Sequence, residues 1–163
     1  REYERMTPET SAPDRGDIDR VLAAQRALYP AVEPGSGPFA GREGGWSDDA
    51  MTRGEKGAAL SLYLALMTAT CLDLIGARGP IIVEGPFARN ALYLDMLTAQ
   101  TGRNVLVSNT ATGTSIGAAM LCAPAAGAEI SLTERQTPEH AERLSIYGRR
   151  WTQSVEKRHA QLT

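Results

Sequence analysis

The segment from Ile81 to Asn90 has the residue types of a ligand-holding turn between a strand and a helix. Three β-branched residues in a row, Ile81–Val83, predict a fully buried strand over Pro80–Glu84. Gly85 follows, and a glycine adopts positive φ angles and lets a flat ligand approach the backbone closely. The start of the next helix adds unpaired N–H groups with partial positive charge. The junction could therefore hold part of a nucleotide, although many α/β turns contain a glycine for geometry alone.

Two common phosphate-binding motifs are absent from the sequence. No Gly-x-x-x-x-Gly-Lys-Ser/Thr occurs, which excludes a P-loop. No Gly-x-Gly-x-x-Gly follows the first strand. The second predicted strand, Asn104–Val107, ends at Ser108-Asn109, without an acidic residue placed for a ribose. A dinucleotide-binding dehydrogenase is therefore disfavoured.

Composition and charge restrict the class of protein. The chain has 163 residues, of which 42% are hydrophobic, and this is enough for one domain with a core. The formal net charge of −2 provides no electrostatic footprint for nucleic acid or an anionic membrane, so neither is expected as a partner. Cys71 and Cys122 lie in apolar helical patterns and are predicted to be buried and unpaired, in a reducing cytoplasm. His140 and His159 lie on a predicted surface helix. The sequence contains no cluster of Cys and His residues, so no metal site is predicted.

The first fifty residues predict one helix and one long loop. Asp17 is predicted to cap a helix that runs to about Tyr29. The loop over residues 30–47 is rich in Pro and Gly. We expect Phe39 and Trp46 to anchor this loop rather than to contact a ligand.

A long apolar helix is predicted next. Thr52 and Glu55 form a capping box, and the helix should run to about Ile75, with Gly76 as its stop. Its length suits a membrane span. The polar residues inside it instead favour a buried central helix, and they are Ser61, Thr68, Thr70 and Asp73.

Three further helices are predicted from periodicity and caps. They cover Ala88–Thr101, Gly113–Cys122 and a last segment that opens at Thr137-Pro138. The last helix has an apolar stripe with basic residues outside it, which indicates a solvated face rather than a binding site. The stripe is formed by Ala141, Leu144, Tyr147, Trp151 and Val155.

Five elements follow one another between about Gly37 and Cys122. They are the Gly37-Pro38-Phe39 loop, the helix Glu55–Ile75, the turn Gly85-Pro86-Phe87-Ala88-Arg89-Asn90, the strand Gly102–Val107, and Ala111-Thr112 through Gly117-Ala118-Ala119. Their order resembles the C-terminal domain of FGGY-family carbohydrate kinases. The resemblance implies an α/β fold class, with short buried strands and packed helices in an actin/Hsp70-like, ribonuclease H-like kinase domain.

In that family the glycine turn lies beside the adenosine of ATP, which implies cofactor-binding roles for five residues here. Gly85 would be the closest backbone, Asn90 would hydrogen-bond the adenine edge, and Arg89 would lie along the ring or ribose. Pro86 and Phe87 replace further glycines of the family. Pro86 removes an N–H donor, and Phe87 either stacks on adenine or fills the pocket. A surface cation at Arg89 and a local helix cap at Asn90 remain the alternatives.

The resembled kinases supply their aspartate base, and an Asp-x-Gly-Thr loop for phosphate and Mg²⁺, from an N-terminal domain. Nothing in this sequence matches either, and the chain starts at Arg1 rather than at Met. We therefore expect residues 1–163 to be a C-terminal segment without the N-terminal catalytic domain, and expect no catalytic residue and no metal ligand in it. Its parts are a helix with a long loop (1–52), a nucleotide-side core (53–123) and a C-terminal helix (137–161).

The implied function is transfer of the γ-phosphate of ATP to a sugar hydroxyl, with Mg²⁺, in the cytoplasm. A ketose such as a xylulose, fuculose or rhamnulose is the expected sugar, and the isolated chain is expected to be inactive. It should also expose apolar surface and self-associate as a homo-oligomer or aggregate. Two alternatives are a non-catalytic nucleotide-binding or interaction module and a complete small α/β protein unrelated to kinases.

Overall fold

The computed structural model describes residues 6–33, 35, 37–108, 118, 121–122 and 131–160. Most of the predicted helix Gly113–Cys122 lies outside these residues. Single 3₁₀ turns form at Thr7–Glu9, Gly37–Phe39 and Gly85–Arg89. The longer described helices are α1 (Arg15–Ala24), α2 (Arg53–Leu74), α3 (Ala91–Thr101) and α4 (Ala141–Ala160), and the described strands are β1 (Leu28–Tyr29), β2 (Gly45–Trp46), β3 (Ile81–Val83), β4 (Val105–Ser108) and β5 (Leu132–Glu134).

Strands β3, β4 and β5 form one sheet in that order. β3 and β4 are parallel, with Ile81 opposite Val105, and β5 joins β4 antiparallel. Helix α3 connects β3 to β4, so the three elements form a βαβ unit. In such units, ligands bind at the carboxyl ends of the strands, and the Gly85 turn follows directly from the carboxyl end of β3.

The prediction that β3 is fully buried was wrong for its middle residue. Ile81 and Val83 are buried, whereas the Ile82 side chain is 58% exposed. Successive side chains of a strand point to opposite faces, and within the described residues the packed helices cover only one face here. The second strand begins at Val105 and ends at Ser108, one residue later than predicted.

The first helix is shorter than predicted and has a different cap. Asp14 is the N-cap and forms a capping box with Asp17, which lies inside the helix. The helix ends at Ala24 because Gln25 adopts a left-handed conformation at φ 53°. Tyr29, the predicted helix end, instead belongs to β1 and pairs with Gly45 of β2.

The long helix α2 is the centre of the core, as predicted. Thr52 and Glu55 form the expected capping box, and Gly76 follows the helix at φ +65°. By length and composition α2 could cross a membrane, but 61% of its most apolar window is buried inside the protein, as in a core helix. Its last turn is exposed, and the prediction that Cys71 and Cys122 are buried was wrong, because both are exposed.

A buried carboxylate ties α1 and the segment after it to α2. Glu55 is 2% exposed. It accepts hydrogen bonds from Arg20 Nε at 2.7 Å and from Arg26 Nη1 at 2.8 Å. Burial alone would raise the pKa of the Glu55 carboxyl. Three contacts lower this pKa, and they are the hydrogen bonds from Arg20 and from the Thr52 N–H and the nearby charge of Arg26. Together they outweigh burial, so the pKa lies below its usual value.

The replacement Glu55→Gln is expected to reduce stability at neutral pH by about 1–2 kcal/mol, because a charge-assisted hydrogen-bond set is lost. A lowered pKa stabilises the folded state above the usual carboxyl pKa, and this contribution is lost as the pH falls through the folded-state value. Thermal unfolding between pH 7 and pH 3 should therefore show the two proteins converging in acid. A constant gap across that range would contradict the assignment.

The C-terminal helix α4 covers the core with the predicted stripe. Leu144, Tyr147, Trp151 and Val155 are buried, and Ala141 is half-buried. The helix packs on α3 and α1, and it closes the side of the core formed by β1.

The two aromatic residues of the loop before α2 anchor it, as predicted. The Phe39 ring meets the Trp151 ring edge-on, with 5.8 Å between centroids. Trp46 donates its indole N–H to Glu9 at 3.0 Å, and the Lys56 ammonium lies over its ring.

Candidate functional site

The backbone at the carboxyl end of β3 turns at a glycine that requires a left-handed conformation. Gly85 has φ +77°, and a Cβ added there would meet no protein atom within 4 Å. The glycine is therefore needed for its backbone angle rather than for internal packing. The space beside its Cα is open to a ligand.

The turn continues as a 3₁₀ segment, Gly85–Arg89, and not as an α-helix. The α-helix that was predicted to start at Ala88 begins at Ala91, with Asn90 as its N-cap. Pro86 at the second position of this segment has no N–H to donate and fits a first helical turn.

Asn90 is held by two hydrogen bonds of its carboxamide. Its Oδ1 accepts from the backbone N–H of Tyr93 at 3.0 Å, and its Nδ2 donates to Ser61 Oγ of α2 at 3.0 Å. The local-cap role is thus present. A carboxamide has two donors and two acceptor lone pairs, so one of each remains beyond these two bonds.

Phe87 points toward the protein core. Its ring packs on the buried Tyr93 ring at a tilt of 39°, with 5.3 Å between centroids. The Tyr93 hydroxyl lies 3.1 Å from Thr68 Oγ1 of α2, and burial raises the pKa of Tyr93. The turn is therefore fixed to α2 through an aromatic pair as well as through Asn90.

Two residues of the turn face solvent. Pro86 and Arg89 are exposed. The Arg89 guanidinium forms no ion pair or hydrogen bond with a residue that the structure describes. It is available for an anionic or planar ligand.

A groove of about 550 Å³ lies next to the turn, between α3 and the segment after β5. Ala88 of the turn and Val107 of β4 contribute to its wall, together with Asp95 and Arg135. Asp95 and Arg135 form an ion pair at 2.7 Å, so their charges compensate each other. No pattern in residues 131–136 predicted this groove.

Several aspartates of the described residues are held in ion pairs. Asp17, Asp19, Asp48 and Asp95 are paired with arginines. Among the described residues, no group of three or more His, Cys, Asp or Glu side chains could hold a metal ion.

Three residues that the sequence did not indicate as functional hold the turn on its core side. They are Ser61, Thr68 and Tyr93. Ser61 and Thr68 lie seven residues apart, which is two helical turns, on one face of α2. The available signal was this spacing of two hydroxyls in an otherwise apolar helix.

Comparisons with known proteins agree with the predicted fold. The family model described as the C-terminal domain of carbohydrate kinase FGGY matches residues 1–130. A carbohydrate kinase from Novosphingobium aromaticivorans is 30% identical over 87% of this chain, with a TM-score of 0.76. A xylulose kinase from Rhodospirillum rubrum is 18% identical over 90% of this chain, with a TM-score of 0.61, and shows the fold alone. No curated protein sequence matches.

The chain spans 30% of the length of the first of these kinases and 33% of the second. The α/β, actin/Hsp70-like fold class predicted from the sequence is confirmed by these likenesses. The family match covers the predicted strands, the glycine turn and the central helix. The chain therefore belongs to the FGGY family of carbohydrate kinases, within its C-terminal domain.

Proposed function

We propose that this chain is the adenosine side of an ATP-dependent carbohydrate kinase. The whole protein would transfer the γ-phosphate of ATP to a hydroxyl of a small sugar, with a ketose such as a xylulose, fuculose or rhamnulose as the first candidates. The observation that carries this proposal is the Gly85 turn. Gly85 has a positive φ and open space beside its Cα, and it follows the carboxyl end of a parallel strand.

The residues of the turn fit an adenosine group. A flat ring can approach the backbone at Gly85, and the exposed Arg89 can lie along the ring or the ribose. Asn90 keeps one N–H and one lone pair for the adenine edge beyond its two structural bonds. Pro86 and Phe87 shape this side of the site, Pro86 from solvent and Phe87 from the core.

The described residues bring together no group of three or more His, Cys, Asp or Glu side chains that would hold a metal ion by themselves. We propose that Mg²⁺, the base and the sugar pocket belong to an N-terminal domain of the same protein. Phosphoryl transfer depends on positioning both substrates and the metal across a cleft. The isolated chain would then be inactive, and the whole kinase would work in the cytoplasm, where ATP is available.

The exposed apolar residues of this chain fit such an arrangement. Ile82 on the outer strand β3 is 58% exposed, and Leu74 and Ile75 at the end of α2 are 69% and 76% exposed. In the described residues β3 pairs with β4 only. We propose that another part of the protein covers this surface, and that the isolated chain self-associates through it.

The test is an assay of the full-length protein with ATP, Mg²⁺ and a panel of aldoses, ketoses and polyols. We expect stoichiometric formation of ADP and one sugar phosphate. The sequence upstream of Arg1 should encode an Asp-x-Gly-Thr loop, and replacing its aspartate by asparagine is the matched negative control. Failure to phosphorylate any sugar of a broad panel would refute the kinase proposal.

One observation favours a second candidate, a non-catalytic nucleotide-binding module. Pro86 and Phe87 stand where the family has further glycines, and Phe87 fills space behind the turn. Titration with ATP separates the two functions. Saturable binding without sugar-dependent turnover would support a sensor, whereas binding with turnover would support the kinase.

A further inference from the structure

The glycine turn is connected to the central helix α2 at two points. Asn90 Nδ2 donates to Ser61 Oγ at 3.0 Å. The Tyr93 ring packs against the Phe87 ring, and the Tyr93 hydroxyl lies 3.1 Å from Thr68 Oγ1. Ser61 and Thr68 are two helical turns apart, so both hydroxyls lie on the face of α2 toward α3.

The hydroxyl groups of Ser61 and Thr68 each also bond a backbone carbonyl of α2. Ser61 Oγ donates to the Gly57 carbonyl at 3.0 Å, and Thr68 Oγ1 donates to the Leu64 carbonyl at 2.9 Å. A hydroxyl has one proton. Ser61 Oγ therefore accepts from the Asn90 amide, whose nitrogen can only donate, and Thr68 Oγ1 shares a hydrogen bond with the Tyr93 hydroxyl in which either oxygen can be the donor.

Two hydrogen bonds fix the orientation of the Asn90 carboxamide. Its oxygen faces the Tyr93 N–H and its nitrogen faces Ser61. A flipped carboxamide would place its N–H₂ against the Tyr93 N–H, which can only donate, so Tyr93 selects the observed orientation. Ser61, at 7% exposure, is the buried acceptor that holds the Nδ2 edge of the carboxamide in that orientation.

We infer that Ser61 and Thr68 are positioning residues for nucleotide binding. This inference rests on the proposed function of the turn. Ser61 holds the Nδ2 edge of the Asn90 carboxamide in place, and Thr68 holds Tyr93 and, through it, the Phe87 ring. Neither residue contacts the ligand. A change at either position alters the affinity for ATP through the geometry of the turn, and leaves the sugar site unaffected.

The variants Ser61→Ala and Thr68→Val, made in the full-length protein, test the inference. Each removes a hydroxyl at nearly constant volume. We expect the KM for ATP and the dissociation constant of ADP to rise about three- to tenfold, the equivalent of one hydrogen bond. The KM for the sugar and kcat at saturating ATP should stay within about twofold of wild type.

Two further variants serve as matched controls. Thr68→Ser keeps the hydroxyl and should restore near-wild-type affinity for ATP. Thr70→Val removes a hydroxyl that, like the Thr68 hydroxyl, donates to the carbonyl four residues earlier, here Leu66 at 2.9 Å. The hydrogen bonds of the described residues do not connect Thr70 to the turn. Thr70→Val should lower stability as Thr68→Val does and leave the KM for ATP unchanged.

A readout without nucleotide separates failure of this inference from failure of the proposed function. In wild type, the Asn90 side-chain amide should give a resolved, slowly exchanging NMR signal, and in Ser61→Ala this signal should exchange faster. ATP binding that is equal in wild type, Ser61→Ala and Thr68→Val would overturn the inference alone. A wild-type protein that binds no ATP would overturn both it and the proposed function.

Discussion

Replacing Trp151 by alanine is expected to lower the free energy of unfolding by about 3–5 kcal/mol, the largest effect of any single change considered. Trp151 is 3% exposed, and its ring meets the rings of Phe39 and Tyr63 edge-on. Its indole N–H donates to the Leu28 carbonyl at 2.8 Å. The substitution therefore leaves a large cavity and an unpaired buried carbonyl, and it releases the loop that Phe39 anchors.

Hydrogen exchange of the α4 amides in the full-length protein would measure this effect locally. Trp151→Phe keeps most of the apolar volume and should cost less, since only the hydrogen bond to Leu28 and part of the ring are lost. Gln153→Ala, at an exposed position of the same helix, should change stability by less than about 0.5 kcal/mol. Equal exchange in Trp151→Ala and Gln153→Ala would contradict the packing described for α4.

The second prediction concerns the nucleotide. Gly85→Ala should weaken ATP binding about tenfold or more, a change of about 1.4 kcal/mol. The new methyl group meets no protein atom within 4 Å, so it projects into the space proposed for the ligand. Alanine at φ +77° also strains the backbone by about 1 kcal/mol. Isothermal titration of the full-length protein with ATP measures the affinity.

Gly41→Ala is the matched control for that strain. Gly41 has φ +83° and also has no protein atom within 4 Å of an added Cβ, but it lies in the loop before β2. It should lose the same stability and keep full affinity for ATP. Equal ATP affinities for the two variants would show that the Gly85 turn is not in contact with the nucleotide.

The sequence predicted those elements whose signals are local. The Thr52–Glu55 capping box, the apolar stripe of α4 and the glycine after β3 depend on residues within a few positions of each other, and all three are present. The length of the first helix was predicted wrongly because Gln25, a residue with no special preference, takes the left-handed conformation. The propensity of this residue does not indicate that conformation.

Burial was harder to predict than secondary structure, because it depends on what packs above a residue. Ile82 has the same character as Ile81, yet only Ile81 faces the helices. Cys71 continues the apolar pattern of α2 but lies in the turn where the helix leaves the core. The support of the candidate site by Ser61 and Thr68 joins positions 25 to 29 residues apart, and the spacing of the two hydroxyls in α2 does not indicate which residues they contact.

The most direct test of the account is a crystal structure of the full-length protein with a non-hydrolysable ATP analogue. We expect the adenine ring within van der Waals distance of the Gly85 Cα, with the Asn90 carboxamide at its edge and Phe87 still packed on Tyr93. An analogue bound elsewhere, with the space beside Gly85 empty or filled by the Phe87 ring, would contradict the central claim.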